Sequence, residues 1–256
     1  MKKLTLVSAG ALFLASAFGV FAGDKNTILV DRGLPTANLN NGAGPDRSNV
    51  AWADNESSST PTEYWLPGDS FQIPKPGIYG ITSIRVWIVG GSTDGLTLWG
   101  GVDGSTIVPI STTYTVTSVS YANGQTYQGG GGSPYPIYQV DFTVNLNLMG
   151  GQTFDFFVDG PWASYEGGLY YVNSFLHASN KDLSGSLQQG SDDWFLWLDR
   201  SGSGNVVETW NSETGDGTAW MAWGLPGPAS AAGWDKPSDA NVQVFGHQGI
   251  GKGLNK

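Results

Sequence analysis

The side chains able to do chemistry in this chain are carboxylates and aromatic rings. Beyond residue 22 the glutamates are Glu56, Glu63, Glu166, Glu208 and Glu213. A glycosidase needs one carboxyl held protonated and a second ionised, about 5–5.5 Å apart for retention or about 6.5–9.5 Å for inversion. Glu166 and Glu208 are the candidate pair, because both lie close to aromatic residues. Acids are also the commonest surface charges of an acidic protein, which is the plainer account of them. A Ser-His-acid triad would have to use His177 or His247. His177 ends an apolar run, as a structural histidine does, and His247 lies close to the C-terminus. Neither a Gly-x-Ser-x-Gly elbow nor a phosphate-cradling loop occurs. Oxygen donors suited to Ca²⁺ gather in the stretch from Asp31 to Asp54, with Asp46 and several Asn between. No spacing there matches the twelve-residue calcium loop, and Asn and Asp are expected in turns in any case.

Aromatic residues are the larger resource, at 11 Trp, 10 Tyr and 11 Phe. A flat indole beside a carboxylate suits a pyranose ring, whose apolar face stacks while its hydroxyls donate to the acid. Trp87, Trp197 and Asp199 are the candidates on strand faces, and Trp162 with Tyr165 the candidates in a loop. Each has a plainer explanation, since rings of this kind also fill cores and plug the open ends of layered sheets.

Extended strands must position these groups. From Tyr138 to Leu148, apolar Tyr138, Val140, Phe142, Val144, Leu146 and Leu148 alternate with polar residues. Successive strand side chains point to opposite faces, so this run has one apolar face and one wet face. The same period marks Ile84, Val86 and Ile88, then Phe154, Phe156 and Val158, then Trp194, Leu196 and Leu198. If those residues face inward, Trp87, Phe157, Phe195, Trp197 and Asp199 face outward. Asn123-Gly124 reads as a tight hairpin, and Asp94-Gly95, Asp103-Gly104, Asp159-Gly160 and Asp216-Gly217 are similar turn signals. Beyond the leader no segment carries a helical stripe between caps. These features predict an all-β protein: one domain, an antiparallel β-sandwich of the jelly-roll kind, with a closed barrel as the alternative.

Composition narrows the classes further. The chain has 256 residues and no Cys, which excludes disulfide frameworks, thiol catalysis and Cys-based zinc sites. Lys2 and Lys3 open an apolar run that ends at Ala22, the order of a secretory signal peptide over residues 1–22. Without those two lysines, 10 basic residues stand against 22 acidic ones, a net charge of −12. Such a balance argues against nucleic acid as a partner. No second long apolar stretch occurs, so no membrane insertion is expected once the signal is cleaved. The sandwich is expected over residues 23–246, followed by a flexible tail over 247–256.

Three short segments share a likeness. They are Leu29-Val30-Asp31-Arg32-Gly33-Leu34-Pro35, then Pro67-Gly68-Asp69-Ser70-Phe71-Gln72-Ile73-Pro74 with Tyr79 to Trp87 after it, and Asn241-Val242-Gln243-Val244-Phe245-Gly246. Together they resemble a loose group of secreted bacterial surface-associated β-sandwich domains. Where such domains show two adjacent acids before the Phe, this chain has Asp69-Ser70, and it lacks their C-terminal anchor. The resemblance implies a fold and a surface location and carries over no catalytic residue.

The expectation is a secreted, extracellular bacterial protein without enzymatic activity, engaging a glycan, cell-surface or matrix partner. The alternatives are a jelly-roll glycoside hydrolase using Glu166 and Glu208, and a structural subunit that self-assembles through its strand edges.

Overall fold

The computed structural model describes residues 26–36, 50–52, 65–90, 92–128, 134–160, 162–165, 169–172, 175–180, 196–199, 206–208 and 238–249. All regular structure among them is strand. In chain order the strands are β1 (Thr27–Arg32), β2 (Val50–Trp52), β3 (Trp65–Gln72), β4 (Ile78–Val89), β5 (Thr97–Val102), β6 (Val108–Ser111), β7 (Tyr114–Val119), β8 (Tyr127–Gln128), β9 (Pro134–Tyr135), β10 (Ile137–Met149), β11 (Thr153–Asp159), β12 (Trp162–Tyr165), β13 (Leu169–Val172), β14 (Phe175–Asn180), β15 (Leu196–Asp199), β16 (Val206–Glu208), β17 (Ser238–Ala240) and β18 (Val242–Gln248). They form an eight-stranded sheet with the path β1-β18-β4-β10-β7, to which β14, β2 and β17 attach. A six-stranded sheet runs β16-β15-β3-β11-β5-β6, and two small ribbons pair β12 with β13 and β8 with β9. Every pairing is antiparallel.

The alternation in residues 138–148 becomes the long strand β10, and all six of its apolar residues join the main core or pack against it. That core draws from both large sheets. Ile84, Val86, Ile88, Val140, Phe142, Val242 and Val244 meet Phe71, Leu98, Phe154, Phe156 and Val158. Burying a side chain of this size contributes about 1.5–3 kcal/mol, so a dozen of them dominate the stability.

The inward phase of β4 changes along its length. Tyr79 and Ile81 are buried in the core, and so are Ile84 and Val86, which requires one extra residue between the two sets. The ladders show where it goes: the register shifts between Phe245 and Gly246 on β18 and between Thr143 and Leu146 on β10, at the same level of the sheet. Aligned bulges bend and twist the strands they interrupt. Gly246 is needed at this step because a Cβ there would run into the Gly80 carbonyl.

Three expectations need correction. Asn123-Gly124 does form a turn, with Gly124 at φ 82° and its N–H donating to the Tyr121 carbonyl. It does not join neighbouring strands, because β7 pairs with β10 and not with β8. Phe157 does not face water: the outer face of the six-stranded sheet carries its own apolar cluster of Leu66, Ile107, Phe157, Leu196 and Leu198, with Trp99 against it. Leu196 and Leu198 therefore lie on the face opposite Phe154 and Phe156, and the phase expected for that run is reversed. Finally, β18 continues through His247 and Gln248, which pair with Gly80 and Tyr79 inside the segment read as tail.

Phe142 is fully buried, and its ring lies 5.4 Å from that of Tyr114. Phe142→Ala is expected to cost about 3–5 kcal/mol, the usual penalty for the lost burial and the cavity left behind. Gly246→Ala is expected to cost more than an ordinary exposed strand substitution, because the backbone of β18 or β4 must move. Urea unfolding followed by Trp fluorescence measures both.

Candidate functional site

Two constellations of polar side chains emerge, one sealed in the interior and one on a surface. The interior one begins at Arg32. Val30 and Arg32 share the inward face of β1, so the guanidinium enters the interior at the end of the strand, where it is fully buried. Its Nη1 donates to Asp239 Oδ1 at 3.1 Å and lies 3.6 Å from Asp69 Oδ2; its Nη2 donates to the Ser70 carbonyl at 2.5 Å. Asp69 also accepts from the Ser70 N–H and the Ala240 N–H, both at 2.6 Å. Arg32 and Asp239 belong to the eight-stranded sheet, and Asp69 and Ser70 to the six-stranded one. The group therefore ties the two sheets together by charge-assisted bonds where water cannot compete.

Asn241 extends it. Its Nδ2 donates to the carbonyls of Arg32 and Gly33 at 3.1 and 2.7 Å, which settles which end of the amide is nitrogen. Oδ1 must then accept, so His177 Nδ1 and Ser179 Oγ donate to it, at 2.6 and 2.9 Å. With the proton on Nδ1 of a neutral ring, Nε2 is an acceptor, and the Tyr121 hydroxyl 2.8 Å away donates to it. Tyr121 and Tyr127 stand edge-on to the imidazole. Burial disfavours the charged ring and pulls the His177 pKa down to about 4, partly offset by the Asn241 hydrogen bond.

The surface constellation is a row across the outer face of the eight-stranded sheet. Register aligns Asp31 with Gln243, Gln243 with Arg85, Arg85 with Asp141, and Asp141 with Thr115. Five neighbouring strands thus present one side chain each, at the strand spacing of about 4.8 Å. Gln243 Nε2 donates to Asp31 at 2.8 Å, Arg85 Nη1 to Gln243 Oε1 at 3.0 Å, and Arg85 Nε to Asp141 Oδ1 at 2.6 Å. Gln139 Nε2 adds a bond to Asp141 Oδ2 at 2.7 Å, and the guanidinium carbon lies 4.8 Å from the centre of the Phe245 ring. Arg85 and Asp141 side chains keep 26% and 22% of their surface exposed. This is a hydrogen-bonded, partly exposed array of carboxylates, amides and a guanidinium beside one aromatic ring.

The residues expected to bind ligand fall elsewhere. Trp87 does lie on the outward face of β4, but it is only 4% exposed, covered by a cluster with Val89, Tyr121, Tyr127 and Ile137. Its indole offers no ring face to a sugar. The backbones of Trp197 and Asp199 pair with Pro67 and Trp65, and those of Trp162 and Tyr165 with Val172 and Leu169. The side chains of these four lie outside the described residues. Glu208 pairs by backbone with Leu196, while Glu166, Asp46 and Asp54 lie outside the described residues. Asp31 accepts from the Gly33 N–H and from Gln243, and among the described residues no group of three His, Cys, Asp or Glu could hold a metal ion. Sequence reading missed Arg85, Asp141 and Gln243 as a row. Their alternation with core residues was visible, but which strands are neighbours was not. In comparisons with protein-family models, curated proteins and solved structures, nothing matches this chain.

His177 makes stability depend on pH. The unfolded imidazole takes up a proton near pH 6.5 and the folded one only near pH 4. Between those values the unfolded chain binds more protons, so stability falls as pH drops through that window and is unaffected by this group above it. The loss should reach about 3 kcal/mol by pH 4. The difference in unfolding free energy between wild type and His177→Gln, measured from pH 7.5 to 4, should shrink as the pH falls. In the same assay Arg32→Met should cost about 3–5 kcal/mol at pH 7, because two buried carboxylates lose their counter-charge.

Proposed function

We propose that the protein is a secreted bacterial β-sandwich of the jelly-roll kind that binds a glycan or glycan-bearing surface and carries out no catalysis. The strand orders support the architecture. The paths β1-β18-β4-β10 and β3-β11-β5-β6 are those that two interlocked Greek keys produce, with β7 and the β15–β16 pair added at the edges. Export rests on the leader over residues 1–22, and a place outside the cell agrees with a Cys-free chain that relies on its core.

The single observation that carries the binding reading is the partly exposed row Asp31–Gln243–Arg85–Asp141 with Gln139 and Phe245. Sugar hydroxyls both donate and accept, and adjacent hydroxyls match the two-atom faces of a carboxylate, an amide or a guanidinium. The cross-strand hydrogen bonds hold those groups in place before any ligand arrives, which lowers the entropy lost on binding. What supports a non-catalytic role is where the fold puts the reactive groups among the described residues: His177, Asp69 and Asp239 are fully buried, His177 held by Asn241 and Tyr121, Asp69 by backbone N–H groups and Asp239 by Arg32.

A glycan array followed by calorimetry tests the proposal. Wild type is expected to bind at least one glycan, and Arg85→Ala and Asp141→Ala should each weaken that binding about tenfold, equivalent to about 1.4 kcal/mol. Thermal unfolding confirms that the variants remain folded. If wild type binds no sugar, the proposal fails.

A further inference from the structure

Strand β7 closes one end of the path β1-β18-β4-β10-β7, and its outer edge, which pairs with no strand among the described residues, differs from the other path ends in kind. At the opposite end, β1 carries Asp31 and Arg32 and a register shift between Ile28 and Val30. At the ends of the six-stranded path, β6 has only four residues, with Pro109 among them and a shift in its ladder, and β16 has three residues ending in Glu208. Charge, proline, bulges and short length are the devices that stop strand edges from pairing with other chains. The sequence of β7, Tyr-Thr-Val-Thr-Ser-Val, has none of them. Its six pairs with β10 run without a register shift, and Thr115 to Ser118 are exposed. Its composition also favours extended pairing.

We propose that β7 is a self-pairing edge, through which two copies of this chain join antiparallel into one continuous sheet. Charge selects a second copy as the occupant. Across a two-fold axis a surface meets itself, so any net charge on it repels itself. The chain is acidic overall, at −10, yet no charged residue stands between Asp103 and Asp141, the stretch that contains β7. This neutral segment is therefore a place where an acidic protein can approach its own copy.

Geometry then selects the register. Directly opposed residues in an antiparallel pair share a face of the sheet. The two-fold must therefore pass through a residue and not between two. With Val116 on the axis, Val116 meets its own copy, Thr115 meets Thr117, and Tyr114 meets Ser118. Val116, whose neighbour on β10 is the core residue Val140, is 39% exposed in the single chain, and this register covers it with apolar surface. The threonine pairs suit a sheet face as well.

The absence of Cys from the chain makes the test direct. Opposed Cα atoms in an antiparallel pair lie about 4.5–5.5 Å apart, inside the disulfide span of about 4.4–6.8 Å. Val116→Cys is therefore expected to give a disulfide-linked dimer under mild oxidation, much faster than Asp94→Cys on an exposed turn. Sedimentation velocity over a concentration series should show wild type as a monomer–dimer equilibrium. Val116→Lys, which opposes two ammonium groups, should weaken it about tenfold or more, and Val116→Thr should preserve it. Circular dichroism checks that each variant is folded. Wild type that stays monomeric at every concentration overturns the proposal. So does a dimer that Val116→Lys leaves intact, or a Val116→Cys that cross-links no faster than the turn control.

Discussion

A guanidinium shut between two sheets sets the terms for the rest of this molecule. Arg32 has no access to water, and its partners Asp69 and Asp239 have none either. A buried charge is tolerated only when its partners are close and well aimed. That requirement fixes three distant parts of the chain at once: the end of β1, the middle of β3 and the β17–β18 corner. The two backbone N–H groups that cap Asp69 come from different sheets, so the carboxylate cannot be satisfied unless the sheets meet correctly. Apolar packing supplies most of the stability, but it is tolerant of small slips. The ionic staple is not, and a one-residue slip of β1 would turn Arg32 outward and take the guanidinium away from both acids.

The same corner orders the histidine. Asn241 reads the carbonyls of Arg32 and Gly33 with one end of its amide and so presents oxygen at the other. From that oxygen follow the tautomer of His177 and the direction of the Tyr121 hydroxyl. Tyr121 belongs to the cluster that covers Trp87, so a chain of polar contacts runs from the space between the sheets to the outer face of the larger one. Its members are satisfied in sequence, each settling the donor or acceptor state of the next.

Much of the fold was legible in the sequence because period-two burial survives in the long strands. β10 keeps its alternation from end to end, and the inward set of β11 is Phe154, Phe156 and Val158 as its pattern suggests. The pattern fails where both faces of a sheet are covered. Phe157 and the Leu196–Leu198 pair are apolar whichever way they point, so alternation alone could not tell the main core from the second cluster. The interior site was half legible. Arg32 follows Val30 by two residues and Asp69 precedes Phe71 by two, so each charge stands in core phase, a signal that a buried ion pair exists. Which acid meets which base depends on strands more than 200 residues apart, at Arg32 and Asp239, and no local pattern carries that. The surface row was illegible for the same reason, since it exists only through the adjacency of β1, β18, β4 and β10.

The row and the β7 edge are consequences of one sheet. β10 carries Asp141 on its outer face and hands its far edge to β7, so Thr115 both ends the row and lies in the segment proposed to meet a second copy. Pairing across the two-fold sets Thr115 beside Thr117 of the other copy and brings the two rows onto one continuous face. Two sites on a rigid sheet can engage a repeating polymer or a dense surface together, and the second contact then forms at high effective concentration. If the row binds glycan as proposed, weak individual binding by this partly exposed polar surface is in that setting sufficient. An edge without charge, proline or bulge is a hazard for a protein meant to stay single, but the proposed dimer would turn it to use by setting two copies of the polar row side by side.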